Sequence, residues 1–182
     1  MDVDAALQGA VRALIDACKL DPEHKDLVGT PARVSKLWRT SFLSGYAMDP
    51  AQILGDLVVG EAPTSLVVVR DIPFAGMCPH HLLPYIGKAT VAYLPGEALL
   101  GFGRLADLVR CFTARLTLQE RACSEVVDAL MEHVGARGAG CVMHGEHACL
   151  RIPEQRHGTS VVTSAFRGEL KDRAALQDGL FA

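Results

Sequence analysis

The order of helix-like and strand-like segments is the feature that most limits how this chain can fold. Two β-rich segments come first, two amphipathic segments follow, and two further strand-like segments come after them. In chain order they are residues 65–72, 87–96, 104–116, 117–134, 138–152 and 159–170. This order predicts an α+β domain of the form ββααββ, with an antiparallel sheet and two long helices on one face. Such a small sheet has open edges, so we expect copies of the chain to close it into an oligomeric barrel.

Helical patterns dominate the first 60 residues. Residues 1–20 carry acidic groups at their start and lack a long apolar run, which is typical of an amphipathic helix and of neither a signal peptide nor a membrane span. In the next helical pattern, Thr30 is the predicted N-cap and Pro31 suits the first turn. We therefore divide the chain into an N-terminal helical segment, residues 1–60, and a sheet-bearing domain, residues 61–182.

Charge and cysteine content limit the partners and the compartment. A formal net charge of −3 and an isoelectric point near 6.1 disfavour a broad basic surface, so we expect no nucleic acid as a partner. We expect no membrane partner either, because no apolar stretch is long enough for a span. Six cysteines in a chain without a targeting signal indicate a reducing compartment, and we expect the cytoplasm.

The stretch "MCPHHLLPY", residues 77–85, places a thiol and two imidazoles within four residues. Cys78 and His81 are spaced so that one loop can offer a sulfur and a nitrogen to the same ion. Far downstream, His147 and Cys149 are two apart and share a face if that segment is extended. A Cys, His, Cys set suits zinc, and three protein ligands leave a position for water, as in catalytic sites. Short spacings also arise by chance, so spacing alone leaves an ordinary loop open.

A deaminase-type zinc site is a different interpretation that the sequence excludes. The segment from His144 to Glu146 imitates the His-x-Glu of nucleobase deaminases. Those enzymes also need a following Pro-Cys-x-x-Cys to complete the metal site, and nothing after Glu146 supplies it.

Several separate motifs, in the right order, resemble the GTP cyclohydrolase I family. The likeness runs from about Leu27 to Leu170, which is most of the chain. The motifs are "GTPARVSK" (29–36), "RDIPFAGMCPHHLLPYIGKATVAYLPG" (70–96), "TLQER" (117–121), "HAC" (147–149) and "TSVVTSAF" (159–166). The resemblance implies the tunnelling fold, in which small antiparallel sheets from several subunits join into a barrel with helices outside. It also implies a homo-oligomer, commonly a decamer, with active sites between subunits and with residues 61–182 as the catalytic domain.

The resemblance also implies a role for individual residues. The metal would be Zn²⁺, held by Cys78, His81 and Cys149. The acid–base histidines would be His80 and His147. Glu120 would anchor a guanine ring, with Gln119 beside it, and the further substrate-binding residues would be Arg33, Lys36, Arg104 and Arg156. A carboxylate suits guanine because it accepts from both the ring N–H and the exocyclic amine.

Glu120 has an ordinary structural alternative. Thr117 and Glu120 form a Thr-x-x-Glu pattern at the start of a predicted helix, which is a capping box. Without the resemblance the capping box is favoured, and with it the guanine contact is favoured.

The sequence departs from the family pattern where the triphosphate is held. The family has serine, lysine and arginine where this chain has Gly103, Arg104 and Asp107. An arginine-to-aspartate change moves the local charge by two units toward repulsion of a polyphosphate. Downstream, the segment that carries a further family arginine is about one residue shorter, and only Arg151 or Arg156 remains to compensate. Pro79 also replaces a glutamate of the family's zinc loop.

These features together predict a zinc-dependent, purine-ring-opening hydrolase that acts at C8 of a guanine-type small molecule. The substrate is either GTP, giving dihydroneopterin triphosphate and formate, or a related guanine derivative with fewer phosphates or none. The alternative is a non-catalytic, zinc-stabilised oligomer that binds a pterin or purine. His80 and His147 count against that alternative, because a structural zinc site does not require two extra imidazoles.

Overall fold

The computed structural model describes residues 2–55, 57–59, 65–152 and 158–181 of the 182-residue chain. The α-helices are α1 (Val3–Ala17), α2 (Thr30–Leu37), α3 (Pro50–Leu54), α4 (Phe102–Thr113), α5 (Gln119–His133), α6 (Ala148–Arg151) and α7 (Ala174–Phe181). The strands are β1 (Leu57–Val59), β2 (Val67–Met77), β3 (Pro84–Leu94), β4 (Ala98–Leu100), β5 (Gly138–His147) and β6 (Val161–Gly168). A π-helical turn (Trp38–Phe42) and two 3₁₀ turns (Ser44–Ala47 and Glu169–Asp172) connect some of them.

The main sheet has four antiparallel strands in the order β2-β3-β5-β6. Helices α4 and α5 lie between the two strand pairs in sequence, and both pack on the same face of this sheet. The predicted α+β fold with the order ββααββ is therefore confirmed. The outer strands, β2 and β6, each have only one neighbour within the described chain.

Helical periodicity explains why α4 and α5 cover the sheet. In α4, the buried residues Leu105, Leu108, Val109 and Phe112 follow an i, i+3, i+4, i+7 pattern, so they form one apolar stripe. In α5, residues 123, 126, 127 and 130 repeat the same spacing and are equally buried. The two stripes pack against the inward-facing side chains of the central strands. This packing fixes the positions of the ends of β3 and β5 relative to the two helices.

The N-terminal helices are held together partly by one carboxylate. Asp4 on α1 accepts a hydrogen bond from the Ser35 hydroxyl at 2.9 Å and pairs with Arg39 at 3.1 Å. Helix α2 begins at Thr30 with Gly29 in the N-cap position and no side-chain cap, so the predicted Thr30 N-cap is wrong by one residue. Pro31 does lie in the first turn. The division of the chain at residue 60 stays a prediction.

Strands β1 and β4 form a separate two-stranded sheet that the sequence did not predict. Each has only three residues, too few for an alternating pattern to stand out. Across the described ranges, we find no helix with both the length and the apolar character needed to cross a membrane.

Candidate metal centre and the cavity around it

A tight loop between β2 and β3 places two of the predicted ligands side by side. The Cys78 N–H donates to the Leu83 carbonyl at 2.9 Å, and the Leu82 N–H donates to the Cys78 carbonyl at 2.9 Å. Leu82 has a positive φ of 52°, which lets the chain turn back at once into β3. The Cys78 sulfur is buried, His81 is exposed, and the Cys78 Sγ lies 3.7 Å from His81 Nδ1.

The third predicted ligand, Cys149, lies just after the end of β5. In the antiparallel register of β3 and β5, Tyr85 is opposite His147, so β5 ends beside the loop that begins at Cys78. Cys149 follows two residues later, in α6. The ligand atoms of Cys78, His81 and Cys149 all lie within 4.8 Å of one another.

The chemistry of this donor set fits a divalent metal ion. Burial raises the pKa of the Cys149 thiol, and the neighbouring Cys78 raises it further. Two adjacent thiolates repel each other unless a cation lies between them, and a bound metal deprotonates coordinating thiols. Two thiolates and one imidazole are ligands that zinc prefers. Cys78, His81 and Cys149 are therefore the residues that would hold it.

The same residues line a cavity of about 210 Å³. Seven of the predicted site residues meet there: Cys78, His80, His81, Gln119, Glu120, His147 and Cys149. They come from the β2–β3 loop, the start of α5, and the end of β5 together with the adjoining α6, three regions that are far apart in sequence. The fold thus brings thiols, imidazoles and a carboxylate to one concave surface.

The His147 imidazole is fixed by two neighbours: Tyr85 against one face of the ring and Gln119 at one ring nitrogen. Its imidazole stacks on the Tyr85 ring with centroids 4.7 Å apart and planes 9° apart. Its Nε2 lies 2.9 Å from Gln119 Oε1. Burial lowers the pKa of His147 from its ordinary value, while the Glu120 carboxylate acts in the opposite direction. The neutral imidazole is therefore favoured by burial, and Glu120 offsets part of that effect.

Tyr85 is a residue of this site that the sequence analysis did not single out. It is 1% exposed, and its hydroxyl donates to the Thr117 carbonyl at 3.2 Å, which fixes the ring beneath His147. Burial also raises the pKa of the Tyr85 phenol, which keeps it neutral. Its position at the end of the stretch "MCPHHLLPY" is the sequence signal that marks it.

The capping-box interpretation of Glu120 is wrong. The N-cap of α5 is Leu118, and no side chain caps the helix. The Thr117 hydroxyl donates instead to the Leu118 carbonyl at 3.4 Å. Glu120 is exposed and lines the cavity, so its carboxylate is available to a ligand.

The sequence of this chain was compared with those of known protein families. The sequence profile named GTP cyclohydrolase I matches residues 7–182. The chain belongs to the GTP cyclohydrolase I family.

Relatives with the name GTP cyclohydrolase 1 occur in several bacteria. The Campylobacter lari protein is 39% identical over 161 residues, covering 87% of this chain and 84% of the relative. The Chromobacterium violaceum protein is 41% identical over 173 residues, covering 93% of this chain and 82% of the relative. Among solved structures, an archaeosine synthase QueF-Like protein in the apo form is 18% identical, with a TM-score of 0.49, covering 59% of this chain and 97% of that chain.

Three of the other substrate-binding residues predicted from the GTP cyclohydrolase I resemblance do not line the cavity. Arg33 donates to the Thr30 hydroxyl at 2.9 Å, beside Lys36 on the same helix. Arg104 is on α4, and within the described residues the cavity lining includes none of these three. Arg156 lies outside the described residues. Their roles stay predictions.

Two residues at the departures from the GTP cyclohydrolase I pattern are also placed by the structure. Asp107 lies on α4, beside a different pocket that also includes Arg110 and Thr40. Arg151 pairs with Glu146. Within one chain, neither residue lines the cavity that holds the thiols and imidazoles.

Proposed function

We propose that this chain is a zinc-dependent hydrolase that opens the imidazole ring of a guanine-type purine at C8, as in the GTP cyclohydrolase I reaction. The observation that carries the proposal is the shared cavity. Cys78, His81 and Cys149 form a metal-ligand set, and two further imidazoles and one carboxylate line the same 210 Å³ space. A purely structural metal site does not require those additional groups.

Zinc, when bound, lowers the pKa of water enough to make a nucleophile available near neutral pH. The residues of the chain would do the rest. Glu120 accepts hydrogen bonds from the ring N–H and the exocyclic amine of guanine, which orients C8 toward the metal ligands. His80 and His147 transfer protons to and from the imidazole ring of the purine as its C–N bond opens.

The products depend on what the purine carries. With GTP, a first hydrolysis opens the ring to a formamide and a second hydrolysis releases formate. The attached ribose then rearranges and allows closure to dihydroneopterin triphosphate. With a base that lacks a ribose, the reaction ends at a ring-opened pyrimidine. Gly103 and Asp107 stand where the family has serine and arginine, and they support a substrate with fewer phosphates.

The proposal includes an assembly and a location. We propose that residues 61–182 form the catalytic domain and residues 1–60 a helical segment. Copies of the chain assemble into a barrel, a decamer in the family pattern, with active sites between subunits. An arrangement of this kind would account for the absence of Arg33 and Arg104 from the cavity lining of their own chain. The six cysteines suit the reducing cytoplasm.

A substrate panel tests the proposed function. Zinc-loaded protein is mixed with GTP, GMP, guanosine or guanine, and purine absorbance and formate are followed together. We expect loss of absorbance and release of formate with at least one of them, and both should be slowed by about 10²- to 10⁴-fold in the His147→Ala variant. Turnover of GTP alone would show that Asp107 does not exclude a triphosphate. No turnover of any purine by a fully zinc-loaded protein would favour the non-catalytic alternative.

A further inference from the structure

We propose that Gln119 is a positioning residue that holds His147 as the tautomer with its hydrogen on Nε2, so that His147 exchanges protons through Nδ1. The choice of tautomer is argued from contacts within the chain. The effect of this tautomer on catalysis rests on the proposed function.

The orientation of the Gln119 side-chain amide follows from its partners. Gln119 is 0% exposed, so the amide has no access to water. One end of it lies 3.0 Å from the Met143 carbonyl oxygen and 3.2 Å from the Val161 carbonyl oxygen. Carbonyl oxygens only accept hydrogen bonds, so the NH₂ end must face them. In the reverse orientation Oε1 would face both carbonyl oxygens, and only the Thr163 hydroxyl, 3.1 Å away, could donate a hydrogen to it. The two buried carbonyls would then have no donor from the amide, which is costly.

The opposite end of the amide then fixes the hydrogen on His147. With the NH₂ facing the two carbonyls, Gln119 Oε1 faces His147 Nε2 at 2.9 Å. That oxygen has no hydrogen to give, so a hydrogen bond requires the hydrogen to be on Nε2. In the neutral imidazole, Nδ1 therefore keeps its lone pair and is the nitrogen that can accept a proton.

Two neighbours keep the imidazole in this orientation. The Tyr85 ring stacks on His147 at 4.7 Å and 9°, which fixes the ring plane. Gly145 leaves room for the hydrogen bond between Gln119 Oε1 and His147 Nε2. A Cβ at this position would overlap Gln119 Oε1 and would lie 3.5 Å from His147 Nε2. The close approach of strand β5 to the amide thus depends on the absence of a side chain at residue 145.

The expected role separates Gln119 from Glu120, although both line the cavity. The amide groups of Gln119 are already occupied by Met143, Val161 and His147 within the protein. Glu120, by contrast, is exposed and has no role in capping its helix. Gln119 would therefore act on turnover through His147, whereas Glu120 would act on binding of the purine.

Nitrogen NMR of ¹⁵N-histidine-labelled, zinc-loaded protein tests the tautomer directly. His147 is assigned by the signals that disappear in a His147→Gln variant. We expect Nε2 of the neutral wild-type ring to carry the hydrogen, seen as a downfield proton coupled to Nε2, and Nδ1 to carry none. In Gln119→Met we expect this proton signal to be lost, because the hydrogen then exchanges with water. A hydrogen on Nδ1 in the wild-type protein would overturn the proposal whatever the variants do.

Gln177→Met is the matched control. Gln177 on α7 also donates through Nε2 to two backbone carbonyls, Leu170 at 2.7 Å and Lys171 at 2.8 Å, and in the described part of the chain neither contact involves a histidine. The control therefore makes the same substitution and loses the same kind of contact, and the His147 signals should stay unchanged. Retention of the Nε2 proton signal in a folded Gln119→Met protein would contradict the role of Gln119.

Steady-state kinetics separates positioning from substrate contact. For Gln119→Met we expect kcat to fall by about 10- to 100-fold, part of what general acid–base catalysis contributes, with KM nearly unchanged. A raised KM with unchanged kcat would show that Gln119 binds the substrate instead. If the wild-type protein turns over no purine, the proposed function fails, while the NMR measurement still decides the tautomer.

Discussion

At the residue scale, Cys149 and His147 lie two positions apart, and we propose different tasks for them. Cys149 belongs to the set of ligand atoms that lie within 4.8 Å of one another. Removing its thiol leaves two protein ligands, too few for the usual three-ligand catalytic site. We therefore expect Cys149→Ser to lose bound zinc, measured as metal per chain by mass spectrometry after gel filtration. Cys18→Ser, an exposed cysteine outside the ligand set, should retain one zinc per chain. Stoichiometric zinc in Cys149→Ser would contradict the ligand assignment.

His147→Ala should have the opposite pattern. The imidazole contacts Gln119 and Tyr85 and is absent from the ligand set, so zinc should stay bound. Turnover should fall by about 10²- to 10⁴-fold, the usual contribution of a general acid or base. Zinc content and kcat are measured on the same preparation. Loss of zinc together with activity would show that His147 serves the metal rather than the substrate.

The sequence indicated these residues to different degrees. Spacing alone suggested Cys78, His81 and Cys149, because metal ligands recur at short intervals on loops and strands. The contacts of Gln119 could not be predicted, since they join the start of α5 to Met143 on β5 and Val161 on β6. Such contacts depend on how the helix packs across the sheet, and no local pattern records that.

At the scale of the elements, the close approach of β5 to α5 depends on Gly145. An alanine Cβ would overlap Gln119 Oε1, and the buried amide has little freedom to move, since it is bound to two backbone carbonyls. We expect Gly145→Ala to lower the free energy of unfolding by about 1–3 kcal/mol, as overpacking does. Urea unfolding measures this change. The same displacement of Gln119 should also reduce kcat.

Gly9→Ala is the comparison for Gly145→Ala. Gly9 lies inside α1, and a Cβ added there would enter open space, since no described atom outside its own helix turn comes within 4 Å of that position. Alanine there should raise the free energy of unfolding by about 0.5–1 kcal/mol, because glycine is unfavourable inside helices. Equal effects of the two substitutions would show that β5 and Gln119 adjust freely.

Long elements were predicted better than short ones. The stripes of α4 and α5 carry their period in the sequence, and both helices lie within a few residues of the predicted segments, 104–116 and 117–134. Strands β1 and β4 were not predicted, because three residues cannot display a period. Helix α5 also begins without the capping box that its sequence suggested, since Gln119 and Glu120 face the cavity instead.

At the scale of the whole molecule, the open edges of the sheet bear on assembly. Strands β2 and β6 each have one neighbour in the described part of the chain, and exposed edges favour pairing with another copy. The three proposed metal ligands, in contrast, all lie within one chain: Cys78 and His81 are in the β2–β3 loop, and Cys149 is in α6, directly after β5. Assembly and metal binding should therefore be separable.

Removal of zinc should abolish turnover without dissociating the oligomer into single chains. We expect a mass about ten times the 19.5 kDa of one chain, before and after chelation, by gel filtration with light scattering. The Cys149→Ser protein should have the same mass, which controls for side effects of the chelator. Dissociation to 19.5 kDa on chelation would show that the metal bridges copies of the chain. A 19.5 kDa species in the zinc-loaded protein would contradict the barrel, because the edges of β2 and β6 would then remain open in solution.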